Sequence, residues 1–420
     1  MKPLTRAAII AVGSELLTPL RLDTNSLFIT EQLNTLGIDV VLKAVTGDDR
    51  DELAQLFRAA QARVDLVVFT GGLGPTDDDV TREVVAGALG RILSEDAGIT
   101  ERMRARFAAR GYKGPMPEIN RRQSMVPAGA RVVENERGSA PGLWLEDGDS
   151  LVLLLPGPPR ELRPMLLALV DGPLRERTAG APLLRRVVKL AGVIESQTDE
   201  ALQPLYREWA GRTPRINATI LAALGQIELH LSTQAVAADD TAAALDHAVQ
   251  QVGLVMSDNV FSTDGRSMET VVGDLLVSRG YRIALAESCT GGLLTSRLTD
   301  VAGSSRYVER AVVAYANEAK IELLDVQPDL IATHGAVSEA VAQAMAEGIR
   351  SRAAVDVGVG VTGIAGPGGG SPEKPVGTVA IAAVAPSATR TRMFRFHGER
   401  EHVKFQASQA ALDMVRRMLR

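Results

Sequence analysis

The chain has 420 residues, of which 45% are hydrophobic and 23% are charged, a balance typical of a globular protein with roughly two to four domains. Its net charge of −5 and its aromatic content of 4% give no support to nucleic-acid binding, which relies on basic and stacking side chains. The single cysteine, Cys289, excludes a disulfide within these residues and favours the cytoplasm, and no run approaches the ~20 apolar residues that cross a membrane.

The first predicted domain, residues 1–175, alternates between strand and helix patterns. Short apolar runs that end in glycine or proline predict buried parallel strands, and apolar residues at helical spacing predict the helices between them. This alternation predicts a doubly wound, mostly parallel sheet that binds ligands at the carboxyl ends of its strands. The predicted elements are strands at 7–12, 40–44, 64–69 and 150–155 and helices at 25–36, 51–62 and 80–89.

The middle predicted domain, residues 183–256, has the pattern of a small α+β unit, and residues 258–266 have the composition of a linker. The last predicted domain, residues 267–420, again alternates strand and helix. We therefore expect two three-layer α/β domains joined by a small α+β middle domain. The elements predicted in the last domain are helices at 268–279, 293–299, 338–353 and 404–419 and strands at 282–286, 312–315, 355–361 and 376–384.

Four clusters of small and polar residues mark the last predicted domain, at 287–292, 303–305, 315–320 and 362–370. The first and the last follow strands directly, where backbone N–H groups of the loop and of a following helix can bind a phosphate. A serine becomes a nucleophile when a base removes its proton, and a buried lysine can be that base. The pattern predicts acyl transfer without histidine, but spacing leaves four nucleophiles open: Ser288, Cys289, Ser304 and Ser305.

The first predicted domain carries a Gly-Gly-Leu-Gly-Pro-Thr-Asp-Asp-Asp loop at residues 71–79, directly after a strand. The glycines allow a ligand to approach the backbone, and the aspartates can bind Mg²⁺ or a similar cation beside a pyrophosphate. One aspartate can equally cap the helix that follows. Residues 13–15, 23–25 and 156–161 are expected to complete the rim of this site.

These motifs, in this order, resemble those of the CinA family over nearly the whole chain. The most specific match is the run Thr-Gly-Ile-Ala-Gly-Pro-Gly-Gly-Gly-Ser-Pro-Glu-Lys-Pro-Val-Gly-Thr at residues 362–378, and the first domain resembles the molybdopterin-binding fold. The resemblance implies that the last domain is a cofactor-independent amidase that hydrolyses nicotinamide mononucleotide (NMN) to nicotinate mononucleotide and ammonia. It implies that the first domain is an ADP-ribose pyrophosphatase that uses a divalent metal (Mg, Co or Mn), and that the protein is a homodimer.

The resemblance also implies roles for individual residues. In the amidase, Ser305 would be the nucleophile and Lys320 its base, directly or through Tyr315, with oxyanion donors near Thr362 and Ser288. The implied substrate-binding residues are Ser288, Thr290, Gly291, Thr362, Gly363, Gly366 and Arg400. In the first domain, the expected nucleotide-binding residues are Glu15, Asn25, Gly71, Gly72, Gly74, Thr76, Gly157 and Glu161, with Asp78 and Asp79 as metal ligands.

Two alternatives remain open at this point. In one, only the amidase is active and the first domain is a non-catalytic module that binds a nucleotide or a pterin-like ligand. In the other, the protein is a non-enzymatic partner in competence or the response to DNA damage.

Overall fold

The computed structural model describes residues 2–109, 111, 114–178, 183–234 and 238–420. The chain divides into two compact units: the first comprises Met1–Leu184 with Thr233–Ala242, and the second comprises Arg185–Ser232 with Ala243–Arg420. Most of the segment between the two α/β regions thus belongs to the second unit, while the three domain boundaries given above remain a prediction. In the described part of the chain, no helix is both long and apolar enough to cross a membrane.

The first unit is built on a six-stranded sheet of order β2-β1-β3-β8-β7-β6. Strands β2, β1, β3 and β8 are parallel neighbours, whereas β7 is antiparallel to β8 and to β6. The predicted doubly wound, mostly parallel sheet is therefore confirmed. Its elements are β1 (Arg6–Val12), α1 (Asn25–Thr35), β2 (Asp39–Thr46), α2 (Arg50–Gln61), β3 (Leu66–Thr70), α3 (Thr81–Ala88), β4 (Leu93–Glu95), α4 (Ala97–Ala109), β5 (Met125–Pro127), β6 (Arg131–Val133), β7 (Gly142–Asp147), β8 (Ser150–Leu155), α5 (Pro159–Asp171) and α6 (Pro173–Glu176).

Alternate residues of the central strands enter two separate hydrophobic cores. Ile9 of β1 lies in the same core as Leu33 of α1, while its neighbour Ile10 lies in the core that contains Phe57 of α2. Because both faces of the sheet are buried, these strands are continuous apolar runs, and for this reason they could be predicted from the sequence.

The second unit contains two sheets. The smaller has the order β10-β11-β9-β12, and the larger has the order β14-β13-β15-β16-β17. In the larger sheet β13 is parallel to β14 and β15, and β16 and β17 continue it in antiparallel fashion. The remaining elements of the chain are β9 (Leu184–Leu190), α7 (Glu195–Ala210), β10 (Ile216–Ala223), β11 (Gln226–Thr233), α8 (Ala238–Met256), β12 (Val260–Ser262), α9 (Met268–Arg279), β13 (Ile283–Glu287), α10 (Leu293–Thr299), β14 (Val308–Val313), α11 (Asn317–Leu324), α12 (Pro328–His334), α13 (Glu339–Ala353), β15 (Val357–Gly363), β16 (Thr378–Ala385), β17 (Ala388–Arg395) and α14 (Arg400–Met418).

The prediction of a linker at 258–266 is wrong in its central part, where the structure has strand β12. Val260 and Phe261 are buried, and β12 pairs with β9 at the edge of the smaller sheet. The side chain of Arg416, on α14, is fully buried and donates hydrogen bonds to the backbone oxygens of Val260 and Asp258. This segment is therefore packed structure, because two apolar residues and a buried guanidinium hold it in place.

Helix α13 lies unusually close to the central strand β15. A methyl group on Gly360 would come within 2.2 Å of the backbone oxygen of Ala342, and one on Gly358 would come within 2.2 Å of the backbone oxygen of Ala346. These two glycines let the helix rest directly on the strand backbone. The strand β15 is thereby fixed, together with the loop that follows its carboxyl end.

Candidate functional site

A cavity of about 180 Å³ lies at the carboxyl ends of β13, β14 and β15 in the second unit. This is the position at which open α/β sheets bind ligands. The sequence-predicted residues that line it are Ser288, Tyr315, Lys320, Thr362, Gly363 and Arg400.

Lys320 is the buried base candidate of this cavity, with 2% of its surface exposed. Its Nζ atom donates to Ser288 Oγ at 3.2 Å and to the backbone oxygens of Ala314 and Tyr315 at 3.0 Å each. Burial lowers the pKa of Lys320. Among the residues that the structure describes, no carboxylate forms an ion pair with it. A lysine in this environment can lose its proton and accept one from a neighbouring hydroxyl.

Ser305 does not lie beside this lysine within one chain. It is exposed, on a short 3₁₀ turn immediately before β14. The first residue of β13, Ile283, donates its N–H to the backbone oxygen of Tyr307, two residues after Ser305, whereas Ser288 follows the last residue of β13. Since β13 and β14 are parallel and rise by ~3.3 Å per residue, the two serines lie at opposite ends of the sheet, about 15 Å or more apart.

Tyr315 and Arg400 form a pair at the cavity. Arg400 donates to the hydroxyl oxygen of Tyr315 at 2.9 Å and to the backbone oxygen of Gly366 at 2.7 Å. The phenol proton remains free to donate to a ligand, because its oxygen is the acceptor of the arginine bond. The contact between Lys320 and Tyr315 is made by the backbone oxygen of Tyr315, so the described contacts do not include the expected proton relay through the phenol.

The expected phosphate site at the start of α10 is occupied by a side chain of the protein itself, which belongs to the last residue of the preceding strand β13. Glu287 is fully buried, and its carboxylate accepts hydrogen bonds from the backbone N–H groups of Gly292, Leu294 and Thr295. The N–H of Gly291 is also used, by the backbone oxygen of Ser288. The expectation that the start of this helix binds a phosphate is therefore wrong, because its N–H donors already have an anion.

Two threonines predicted to bind substrate differ in their surroundings. The hydroxyl of Thr362 donates to the backbone oxygen of Ala336 at 2.9 Å, so its proton is committed within the chain. Thr290 is fully buried, its Oγ1 atom has no hydrogen-bond partner among the described residues, and it is not among the residues that line the cavity. The hydroxyl proton of Thr362 is therefore not available to an oxyanion, and Thr290 does not line the cavity in which it was predicted to bind substrate.

Cys289 also lines the cavity, next to Ser288. It is 5% exposed, and burial raises the pKa of its thiol to about 12. The thiolate is the nucleophilic form, and at neutral pH it is essentially absent here. Cys289 therefore acts as a small buried hydrophobic residue, which leaves the hydroxyls as nucleophiles.

The first unit contains a larger cavity, of about 740 Å³, at the carboxyl ends of β1, β3 and β8. Gly71 adopts a φ of +101°, and a methyl group on it would lie 2.2 Å from the backbone oxygen of Val12, so only glycine fits at this loop. The structure brings together nearly all residues predicted here: Glu15, Asn25, Gly71, Gly72, Gly74, Asp78, Asp79, Gly157 and Glu161 line the cavity, whereas Thr76 is exposed and is not among the lining residues.

The two expected metal ligands of this cavity differ in their bonding. One carboxylate oxygen of Asp79 accepts hydrogen bonds from the backbone N–H of Thr76, at 2.9 Å, and from its hydroxyl. Asp78 is exposed and lines the cavity. Within the described ranges, no three acidic, histidine or cysteine side chains are grouped to hold a metal by themselves. Asp78 can bind a cation, and a hydrogen bond from Thr76 lowers the pKa of its carboxyl and keeps it charged.

Sequence reasoning missed Asp48, which also lines the large cavity. Its carboxylate accepts hydrogen bonds from the backbone N–H and the hydroxyl of Ser14, at 3.1 and 2.6 Å. Asp48 could have been found from the sequence, because it follows a predicted parallel strand, as the glycine-rich loops do.

Comparison with known proteins places both units in named families. Residues 265–419 match the model of the CinA C-terminal domain, and residues 8–176 match that of the "Probable molybdopterin binding domain". The "CinA-like protein" of Koribacter versatilis (strain Ellin345) is 45% identical over 417 residues, which covers 98% of this chain and 99% of that protein. The "CinA-like protein" of Solibacter usitatus (strain Ellin6076) is 42% identical over 423 residues and covers 98% of both.

A solved structure of a competence-damaged protein (CinA) superfamily protein from Klebsiella pneumoniae 700603 is 38% identical. It covers 36% of this chain and 95% of its own, with a TM-score of 0.35. The resemblance seen in the motifs thus extends along the full chain in the two relatives above, and the chain belongs to the CinA family.

Proposed function

We propose that the second unit hydrolyses the carboxamide of NMN to nicotinate mononucleotide and ammonia. The observation that carries this proposal is the 3.2 Å contact between Lys320 Nζ and Ser288 Oγ in a cavity at the carboxyl end of the sheet. A buried lysine next to a serine hydroxyl is the arrangement needed for nucleophilic catalysis without histidine. Of the four nucleophiles that the sequence left open, Ser288 is the one with a base in contact.

The reaction proceeds in two steps. Neutral Lys320 takes the proton of Ser288, whose oxygen attacks the carboxamide carbon, and the resulting oxyanion accepts the phenol proton of Tyr315 in a hydrogen bond. The C–N bond then breaks, and ammonia leaves with the proton that Lys320 returns. Water gives a proton to Lys320 and attacks the acyl-enzyme ester. The ester C–O bond breaks, Lys320 returns that proton to the oxygen of Ser288, and the carboxylic acid leaves.

Ser305, the nucleophile implied by the family motif, can act only if a second copy of the chain presents it. Mixing two inactive variants separates the two cases. If Ser305 acts across a homodimer, Ser305→Ala mixed with Lys320→Met restores about a quarter of wild-type activity, because half of the dimers are mixed and one of their two sites is intact. If Ser288 acts within one chain, Ser288→Ala mixed with Lys320→Met restores nothing.

The experiment that tests the amidase is ammonia release from NMN by wild type, Ser288→Ala and Ser305→Ala. Wild-type turnover that falls by about 10³-fold or more in Ser288→Ala and stays within about twofold in Ser305→Ala supports the proposal. Loss in Ser305→Ala alone moves the nucleophile to Ser305. Wild type without turnover overturns the amidase and favours the non-enzymatic reading.

For the first unit, we propose hydrolysis of the pyrophosphate of ADP-ribose to AMP and ribose 5-phosphate. Six carboxylates and two guanidinium groups line the large cavity, so a pyrophosphate would be repelled there unless a cation accompanied it. Mg²⁺ needs only one or two protein carboxylates when phosphates supply its other ligands, and Asp78 can be one of them. A bound divalent cation would neutralise the phosphates and polarise them for attack.

ADP-ribose turnover with and without a divalent cation tests this second activity. Asp78→Asn is expected to lower the cation-dependent rate by at least tenfold, because it removes the carboxylate charge of a loop residue that lines the cavity. Asp77→Asn is the matched control, since Asp77 lies outside the cavity lining and pairs with Arg122. Equal rates in both variants would overturn Asp78 as a metal ligand, and wild type without ADP-ribose turnover would leave the first unit as a non-catalytic ligand-binding module.

A further inference from the structure

Arg82 is a buried arginine without an ion pair among the described residues. It lies in the first turn of α3, just after the glycine-rich loop 71–79, and 1% of its surface is exposed. Its Nη2 atom donates to the backbone oxygen of Leu73 at 3.0 Å, whereas its Nε and Nη1 atoms have no hydrogen-bond partner. The charges of Glu83 and Asp79 favour the charged guanidinium, but neither carboxylate contacts it in the described part of the chain.

An unpaired buried guanidinium opposes folding. Taking its charge out of water is unfavourable unless an opposite charge and full hydrogen bonding compensate for it, and a guanidinium remains charged at neutral pH. Arg416 of the second unit, also fully buried, has this compensation: it pairs with Asp413 at 2.7 Å and donates to two backbone oxygens. Because features that oppose folding are concentrated at functional sites, the charge of Arg82 indicates a role beyond stability.

The hydrogen bond from Arg82 sets the direction of a peptide group at the large cavity. The peptide bond between Leu73 and Gly74 is trans, so its C=O and its N–H point in opposite directions. Arg82 holds the oxygen of Leu73 inside the protein, and the N–H of Gly74 therefore points the other way, toward the cavity that Gly74 lines. Within the described ranges, this N–H donates to no other group.

The same hydrogen bond makes Gly74 a stronger donor. A cation on the carbonyl oxygen polarises the whole peptide group, because linked hydrogen bonds polarise one another. The six carboxylates that line the cavity outnumber its two guanidinium groups, so an anionic ligand gains from a donor with a positive charge behind it. A methyl group on Gly74 would lie 2.3 Å from Oδ2 of Asp79, so the donor also stands beside an expected metal ligand.

We propose that Arg82 is a positioning residue, which turns the N–H of Gly74 toward the cavity and strengthens it as a donor to a pyrophosphate oxygen. The proposal rests on the pyrophosphatase function proposed above. It gives a role in that site to a side chain that does not touch the substrate.

The test observes Gly74 directly, with magnesium pyrophosphate as the probe. Labelling leucine carbonyls with ¹³C and glycine nitrogens with ¹⁵N restricts a carbonyl–amide NMR correlation to Leu–Gly peptides, of which the chain has four, at 36–37, 73–74, 89–90 and 224–225. In wild type the Gly74 signal should shift on titration, while that of 224–225 stays in place. Arg82→Met should weaken binding about tenfold, through the loss of a charge-assisted donor, whereas Arg82→Lys should stay within about threefold of wild type.

Stability separates this role from a purely structural one. Arg82→Met should unfold at a urea concentration no lower than wild type, because it removes an unpaired buried charge, although its affinity for pyrophosphate falls. A structural role would lower both. Arg416→Met is the matched control: it breaks the ion pair with Asp413, so it should lower the urea midpoint and leave pyrophosphate binding unchanged.

Failure of this inference and failure of the pyrophosphatase give different results. A Gly74 signal that does not move in wild type, or equal affinity in Arg82→Met, overturns the role of Arg82 whether or not ADP-ribose is hydrolysed. Arg82→Met that does not fold would assign the residue a structural role and also overturn the proposal. Wild type that shows the Gly74 shift without ADP-ribose turnover keeps the inference and overturns the activity.

Discussion

The carboxylate of Glu287 accepts hydrogen bonds from both the backbone N–H and the hydroxyl of Thr295, at 2.8 and 2.5 Å. These contacts join the last residue of β13 to the first turn of α10. Ser288 begins the connection between the two, so the position of the candidate nucleophile is set by an anion that the chain supplies itself. The negative charge is stabilised by the helix N-terminus, which needs no external ligand.

We predict that Glu287→Gln destabilises the second unit by about 2–4 kcal/mol, because an amide turns two donor hydrogens toward backbone N–H groups. Thr295→Val, which removes the hydroxyl donor and keeps the backbone bonds, should cost about 1 kcal/mol. Urea unfolding is followed by the fluorescence of Trp209, in a Trp144→Phe background that leaves one tryptophan in the chain. A cost in Glu287→Gln no larger than that of Thr295→Val would contradict the role of the charge.

Cys289 should be unreactive in the native protein. Its pKa of about 12 leaves almost no thiolate at pH 8, and its burial blocks access. Iodoacetamide should therefore label the single thiol at least a hundredfold more slowly in buffer than in 6 M urea, as measured by mass spectrometry. Cys289→Ala should retain NMN turnover, and loss of turnover in a folded Cys289→Ala variant would return the cysteine to the list of nucleophiles.

The pH dependence of both activity and stability should reflect the lowered pKa of Lys320. Burial lowers the pKa of Lys320 in the folded state, so between that lowered pKa and the ordinary value of 10.5 the unfolded chain binds more protons than the folded one. The free energy of unfolding of wild type relative to Lys320→Met must then rise with pH across this window. NMN turnover should rise as the pH approaches the lowered pKa of Lys320 and level off above it, because the neutral amine is the base.

A difference in the free energy of unfolding between wild type and Lys320→Met that stays constant with pH would show that the lysine keeps its ordinary pKa. The same Trp144→Phe background serves for the unfolding measurements. Lys320→Met should also lower turnover by about 10²–10⁴-fold, the usual effect of a general base.

The parallel strands of both α/β regions could be predicted because burial on two faces makes them continuous apolar runs. The edge strand β14 could not. It was expected at 312–315, but it begins at Val308 and carries Glu309 and Arg310, charges that protect an exposed edge and hide the strand pattern. That earlier start places the Gly-Ser-Ser turn at the amino end of the sheet, away from Lys320.

Strand β17 was not predicted, for the same reason. Strand β17, with the sequence Ala-Thr-Arg-Thr-Arg-Met-Phe-Arg, is the opposite edge of that sheet and has exposed arginines. The occupation of the α10 N-terminus by Glu287 was also hidden, because the residue lies five positions before the first N–H that it accepts. The positions of the loops could be predicted from the order of strands and helices, whereas the direction in which each side chain points was known only from the structure.

The hydrogen bonds to the carboxylate of Asp65 predict that the first unit loses stability in acid. Burial alone would raise the pKa of Asp65, but hydrogen bonds from Lys2, Thr5 and Arg6 outweigh it and lower the pKa to about 2. A lowered carboxylate pKa contributes stability above the ordinary aspartate value of 3.8, and this contribution is lost as the pH falls toward 2. Asp65→Asn should therefore cost on the order of 1–2 kcal/mol at pH 7 and much less near pH 2.5.

This difference is measured by urea unfolding with Trp144 as the reporter, in a Trp209→Phe background. A cost that is the same at both pH values would show that the carboxylate charge does not stabilise the first unit. Asp39→Asn is a suitable control, since Asp39 is exposed at the start of the edge strand β2.

Gly360→Ala should prevent the close approach of α13 to β15. Its methyl group would stand 2.2 Å from the backbone oxygen of Ala342 and 2.8 Å from the backbone nitrogen of Ala346, and neither helix atom can move away alone. We expect a loss of at least about 3 kcal/mol in the second unit, or failure to fold, because overpacking against backbone cannot be relieved by a rotamer change. Gly253→Ala is the matched control: it lies within α8 with no atom within 4 Å of the added methyl, and it should stabilise by about 0.5–1 kcal/mol. Unfolding followed through Trp209 compares the two, and a Gly360→Ala variant as stable as wild type would show that the helix does not rest on the strand.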